Sequence, residues 1–145
     1  MTELKGIYWQ KCLSQVAYAF QPIVNIHSGV CFGVEALLRN VSAAGFDSIA
    51  GLFDQAHEDR VLPLVHRLLC RKAVDAFRCI PWHERLTLFY NLDNRLFNSE
   101  PYTVEAVKDA LDAEGLADDR LCFEISEQHD IDRPPALTEI GRAHV

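Results

Sequence analysis

Residues 17–39, AYAFQPIVNIHSGVCFGVEALLR, constrain the fold more tightly than any other stretch of the chain. Two runs rich in β-branched and aromatic residues, 17–26 and 30–38, flank His27-Ser28-Gly29. The glycine can supply the positive φ that a tight reversal needs, so the pattern predicts a β-hairpin. Alternate residues of a strand share a face. Glu35, Leu37 and Arg39 therefore point one way, and Val34, Ala36 and Leu38 the other. A carboxylate and a guanidinium on an otherwise apolar strand are costly to bury without partners. An anionic ligand bridged by a metal would satisfy both.

The rest of the chain supplies what such a hairpin needs to pack against. A chain of 145 residues is one ordinary domain, and a 49% hydrophobic content is enough for a core. Residues 1–15 show no clear period and read as a helix or a loose arm. After the hairpin, 41–45 read as a loop. Asp47 or Ser48 then caps a helix to about Glu58, whose apolar stripe is Ile49, Leu52, Phe53 and Ala56. A longer helical pattern follows over 61–79, with Leu62, Val65, Leu69, Ala73, Ala76 and Phe77 at spacings of three or four. Pro63 fits only in a first turn, which puts the start near Leu62. Ile80-Pro81-Trp82 stops it.

Residues 86–92 (LTLFYNL) and 121–126 (LCFEIS) are short and rich in strand formers. Between them, Pro101 opens a helical run over 102–114, with Gly115 as its C-cap. Pro134-Pro135 begins another helix. Strand, helix, strand, helix in that order predicts α/β architecture with parallel strands.

The net charge of −7 argues against DNA, RNA or an anionic membrane as partner, because phosphate affinity comes largely from clustered Lys and Arg. No apolar run is long enough to cross a bilayer, and the first residues carry no apolar signal core, which predicts a cytoplasmic protein. The cysteines, Cys12, Cys31, Cys70, Cys79 and Cys122, are odd in number and show no CxxC spacing. Most are expected to be small buried apolar residues in a reducing compartment. The histidines show no HxH or HExxH spacing and read as surface or structural.

Three features fall at the C-terminal ends of strand candidates: Glu35 with Arg39, Asn91, and Glu124 with Glu127. In a parallel α/β barrel the strand ends share one rim, where active sites are built. Two carboxylates and an amide oxygen converging there make a hard-cation site suited to Mg2+ or Mn2+. Each also has a bland reading. Glu124 and Glu127 can be exposed strand-end charges, Arg39 a surface residue, and 91–94 an ordinary strand-exit turn.

The same residues carry a resemblance. Gln21-Pro22-Ile23, then Gly33-Val34-Glu35-Ala36-Leu37-Leu38-Arg39, resembles the opening signature of the EAL domain, the bacterial cyclic di-GMP phosphodiesterase family. Tyr90-Asn91-Leu92 is similar to that family's asparagine motif, and Glu124-Ile125-Ser126-Glu127 to its Glu-[Ile/Leu]-Thr-Glu motif. The resemblance implies the N-terminal part of a TIM-type (β/α)8 barrel. It implies Glu35, Asn91 and Glu124 as metal ligands, Glu35 also as catalytic, and Glu127 as the residue that holds the loop completing the site. It implies Gln21, Leu37 and Arg39 as contacts to the dinucleotide. The implied activity is hydrolysis of cyclic di-GMP to linear pGpG by water activated on two divalent ions.

The resemblance covers only the first half of the family's pattern, within residues 17–139. A barrel of this type takes about 250 residues. The family's paired aspartates, a lysine near the attacking water, a later metal-binding glutamate and a late glutamine are expected downstream. The 145-residue chain is therefore expected to be inactive by itself while its parent protein is a phosphodiesterase, with any homodimer formed through the missing half. The alternative is a domain that has lost catalysis and serves as a cyclic di-GMP receptor or protein-interaction module. Residues 1–16 are expected as a lead. Residues 139–145 back-translate as GAG ATC GGA AGA GCA CAC GTC, which resembles a sequencing adapter, so 140–145 are expected to be a non-native tail.

Overall fold

A computed structural model describes residues 2–98, 109, 113 and 120–125. The helical run over 102–114 (save 109 and 113), the helix opening at Pro134 and Glu127 lie outside the described residues. In chain order the elements are helix α1 (Thr2–Leu13), strands β1 (Ala17–Val24) and β2 (Cys31–Arg39), helices α2 (Ile49–Glu58) and α3 (Leu62–Phe77), then strands β3 (Thr87–Leu92) and β4 (Leu121–Ile125).

The hairpin forms as expected. β1 pairs antiparallel with β2, Gln21 lying opposite Glu35, and a register shift falls at Ile23/Val24. Gly29 takes φ 70° in the turn, where Asn25 Oδ1 accepts from the backbone of His27 and Ser28. β2 then pairs parallel with β3, and β3 with β4, so the sheet order is β1-β2-β3-β4. This is the α/β architecture with parallel strands that the element order implied. At Gly33 the β2 backbone lies close against β3. A Cβ there would lie 2.6 Å from the Phe89 ring and 2.8 Å from the Thr87 carbonyl oxygen, so only glycine fits without a shift.

The pleat sorts β2 as its alternation predicts. Val34, Ala36 and Leu38 are buried, at 5%, 3% and 7% exposure, while Glu35 and Leu37 are half-buried and Arg39 is exposed. The buried face continues through Leu88, Tyr90 and Leu92 of β3 and meets Val65, Leu69, Ala73 and Phe77 of α3. Each such fully buried large side chain is worth about 1.5–3 kcal/mol of transfer free energy, so this seam between α3 and the sheet is a substantial source of stability. The opposite face of the sheet carries Glu35, Asn91 and Glu124.

The helices begin where their chemistry dictates. Ser48 caps α2, its Oγ accepting from Gly51 N at 2.9 Å. Of the expected α2 stripe, Leu52 and Ala56 are buried and Phe53 half-buried, but Ile49 is 41% exposed, because it lines an open cleft beside β2 and not the packed core. α3 starts at Leu62 with Pro63 in its first turn, where a missing N–H costs nothing. It ends at Phe77, earlier than the Ile80-Pro81-Trp82 stop.

One expectation needs correcting. Of the five cysteines only Cys70 is buried; Cys12, Cys31 and Cys122 are half-exposed and Cys79 exposed, and none forms a disulfide. Cys12 lies on α1, Cys31 opens β2, Cys79 follows the end of α3 and Cys122 is the second residue of β4, so only Cys70, on α3 itself, joins the buried seam. Residues 1–15, read as a helix or a loose arm, take the helical form as α1, and Trp9, Leu13 and Val16 join the core.

Candidate functional site

The parallel strands β2 and β3 both end at the same edge of the sheet, and there the expected residues meet. Asn91 Nδ2 donates to Glu35 Oε1 at 3.1 Å. On its other side Asn91 is the register partner of Glu124 in β4, so the two side chains share a face. Gln21 is likewise the register partner of Glu35 across the hairpin. Four of the seven expected residues, Gln21, Glu35, Asn91 and Glu124, thus form a row across four strands. Leu37 and Arg39, further along β2, line an adjoining cleft of about 390 Å³ together with Asn91.

The donor chemistry of the row fits a hard cation. Glu35, Asn91 and Glu124 offer only oxygen ligands plus one amide nitrogen, and oxygen is what Mg2+ and Mn2+ select. Asn91 now turns its Nδ2 to Glu35, and only its Oδ1 can ligate. Among the described residues no three His, Cys, Asp or Glu side chains cluster, so the row supplies two carboxylates and one amide and no more.

A second constellation borders the cleft, and the sequence reading did not find it. Arg95 donates from Nε and NH2 to the Asp93 carboxylate, the shortest contact being 2.6 Å. Its NH1 donates to Asp54 of α2 at 2.9 Å. Burial pushes the Asp93 carboxyl up, but the Arg95 guanidinium and its hydrogen bonds outweigh that and hold it below the ordinary carboxylate range. The backbone N–H of Asp93 donates to Nε2 of His66, which is 3% exposed on α3 and stacks on Phe53. The only signal in the sequence was Asp93-Asn94-Arg95 itself, which reads equally well as a turn; the partners Asp54 and His66 are far off in the chain.

Burial pulls His66 down to about pH 4 for its protonation, with Asp93 opposing and Arg95 reinforcing that shift. The unfolded imidazole takes its proton near pH 6.5, so between the two values the unfolded state binds the extra proton. Stability is expected to fall as pH drops through that window, by up to about 3 kcal/mol. Urea unfolding across the window checks this: His66→Gln, whose amide oxygen can take the Asp93 N–H, should flatten the dependence, and a wild-type profile already flat there would refute it.

The EAL domain family model matches residues 10–143. The chain belongs to the EAL domain family. No curated protein matches it by sequence. Among solved structures, this EAL domain is similar to the PaMucR phosphodiesterase in its c-di-GMP complex, at TM-score 0.66 and 23% identity, over 90% of this chain and 57% of that one. It is similar to Klebsiella pneumoniae BlrP1 in a manganese/cy-diGMP complex, at TM-score 0.63 and 22% identity, over 89% and 32% of the two chains. It is also similar to the Xanthomonas citri FimX EAL domain with c-diGMP, at TM-score 0.56 and 16% identity, over 98% and 55%. At these identities the likeness establishes the fold, and this EAL domain spans 57% or less of the length of each of the three. Among the described residues no helix is long and apolar enough to cross a membrane.

Proposed function

We propose that this EAL domain forms part of a cyclic di-GMP phosphodiesterase that hydrolyses the cyclic dinucleotide to linear pGpG with the help of divalent cations, Mg2+ or Mn2+. One observation carries the reading: Glu35 and Asn91 are in contact across β2 and β3, with Glu124 beside Asn91 on the same face. These oxygens were singled out for their chemistry, and they converge on one edge of the sheet. That PaMucR is a phosphodiesterase with bound c-di-GMP, and that BlrP1 binds the dinucleotide with manganese, supports it.

In this reading Glu35, Asn91 and Glu124 hold the cation. When bound, a divalent ion lowers the pKa of a water and polarises the phosphodiester. Arg39, exposed beside the cleft, offers a planar fork of donors to a non-bridging phosphate oxygen. Leu37 gives the dinucleotide an apolar wall. Gln21, opposite Glu35, places an amide where a base or ribose edge can bond to it. Glu127, outside the described residues, keeps the role that the family resemblance implies, holding the loop that completes the site.

The test is cyclic di-GMP turnover by the full-length protein with and without Mg2+ or Mn2+. Hydrolysis to pGpG that stops on chelation and returns with either ion supports the reading. Micromolar binding of the dinucleotide with no turnover moves the protein to the receptor class. Neither binding nor turnover leaves only the fold.

A further inference from the structure

We propose that Arg95 is a positioning residue, which sets the angle at which β3 delivers Asn91 to Glu35; the inference rests on the reading of this edge as a metal-dependent phosphodiester site. The need for such a residue follows from the ladder. β2 and β3 are paired only over Gly33–Glu35 and Thr87–Phe89. Asn91 lies beyond the last of these pairs. On its β4 side the ladder continues through Asn91 and Leu92. On its β2 side the strands part, and the cleft lined by Leu37, Arg39 and Asn91 opens between them. There Asn91 is joined to β2 by its own side chain, through the bond to Glu35.

Arg95 spans that gap from the other end. Its Nε and NH2 grip Asp93, two residues past Asn91, and its NH1 reaches Asp54 on α2, across the cleft. The guanidinium is 13% exposed, Asp93 is 8% exposed and Asp54 56%. One end of the clamp is therefore well shielded from water and the other is open to it. His66 of α3 takes the Asp93 N–H, so the turn leaving β3 is tied to α2 through Arg95 and to α3 through its backbone. A lysine cannot replace this arrangement, because a single ammonium has no rigid fork to hold two carboxylates in different directions.

A purely structural role would be confined to stability. Asp93 Oδ1 also accepts from Arg95 N, which closes the first turn of the short 3₁₀ segment Asn94–Asn98, and loss of that turn alone would lower the melting temperature without touching the metal site of the folded protein. A positioning role changes how well Asn91 and Glu35 present oxygens together. Removing a residue that orients a metal ligand costs about 10–100-fold in metal affinity, and one acting through the backbone belongs at the lower end.

The experiment is calorimetric titration of the full-length protein with Mn2+ alone, at a temperature where every variant is folded by circular dichroism, alongside cyclic di-GMP turnover at saturating Mn2+. Arg95→Lys is expected to weaken Mn2+ binding about tenfold, to leave KM for the dinucleotide within about twofold, and to recover most of kcat when the ion is raised. Asp54→Asn, which cuts only the solvent-exposed arm, is expected to weaken Mn2+ binding about threefold, and it carries the test if Arg95→Lys does not fold. Unchanged Mn2+ affinity in the folded variants, with Glu35→Ala losing it, overturns the positioning role and leaves the phosphodiester reading standing. Mn2+ binding that Glu35→Ala does not affect overturns both.

Discussion

Glu35→Ala is expected to lower cyclic di-GMP turnover by the full-length protein at least about a hundredfold, or about 2.7 kcal/mol of transition-state stabilisation. The loss has two physical parts. The carboxylate is one of two in the row Glu35, Asn91, Glu124, and a divalent ion held by one carboxylate and one amide keeps half of the anionic charge that opposes its own dehydration. Glu35 Oε1 is also the acceptor that Asn91 Nδ2 meets at 3.1 Å, so truncation frees the amide that should present its oxygen. Glu35→Gln separates the two. A glutamine keeps the length and an acceptor for Asn91 and removes only the charge, so it should fold as the wild type does and still lose most activity. Mn2+ titration beside turnover reads both variants. The cation role is overturned if Glu35→Gln retains wild-type turnover and ion affinity. Because Glu35 is half-buried on the face away from the α3 seam, neither variant should lower the folding free energy by more than about 1 kcal/mol.

How much of this was legible depended on how locally each feature is encoded. The hairpin could be read because β-formers, a turn glycine and the in–out alternation of Val34, Ala36 and Leu38 are all local. The ends of α2 and α3 could be read because Ser48 and Pro63 are each specific to a helix start. Glu35 and Asn91 stood out as polar residues on apolar strands, and their meeting followed from parallel strands sharing an edge. The clamp around Arg95 could not be read. Asp54 and Arg95 are 41 residues apart, and nothing about a charged residue on an exposed helix face says which distant charge it will find. Buried cysteines were overcounted for a related reason: burial is a property of position in the packed sheet, and residue type gives only a tendency.

Trp9→Ala is expected to destabilise the protein by about 3–5 kcal/mol, the largest stability effect of any residue the sequence reading passed over. α1 gave no clear period because its apolar residues fall on two opposed faces: Leu4, Ile7 and Tyr8, at spacings of three and four, are 72%, 63% and 52% exposed, while Trp9 and Leu13 on the far side are buried. Opposed apolar faces leave no single stripe, and only tertiary packing decides which side is covered. Trp9 is that side. Its ring stacks on Phe46 at 5.5 Å between centroids and 15° between planes, and its Nε1 donates to Asp59 Oδ2 at 3.0 Å. Lys72 Nζ donates to the Leu13 carbonyl at 2.7 Å, fastening the C-terminal end of α1 to α3. Truncation to alanine leaves a cavity that Phe46 cannot fill and takes a donor from Asp59. Trp9→Phe keeps an aromatic ring against Phe46 and loses the hydrogen bond, so a smaller cost of about 1–2 kcal/mol is expected. Urea unfolding of both variants orders the contributions, and a Trp9→Ala cost below about 1 kcal/mol would show that α1 is a dispensable arm. Because Trp9 and its partners Phe46 and Asp59 take no part in the row or the cleft, turnover per folded molecule should stay near the wild-type value. That outcome would separate the helix that stabilises this domain from the strand edge at which its chemistry is proposed.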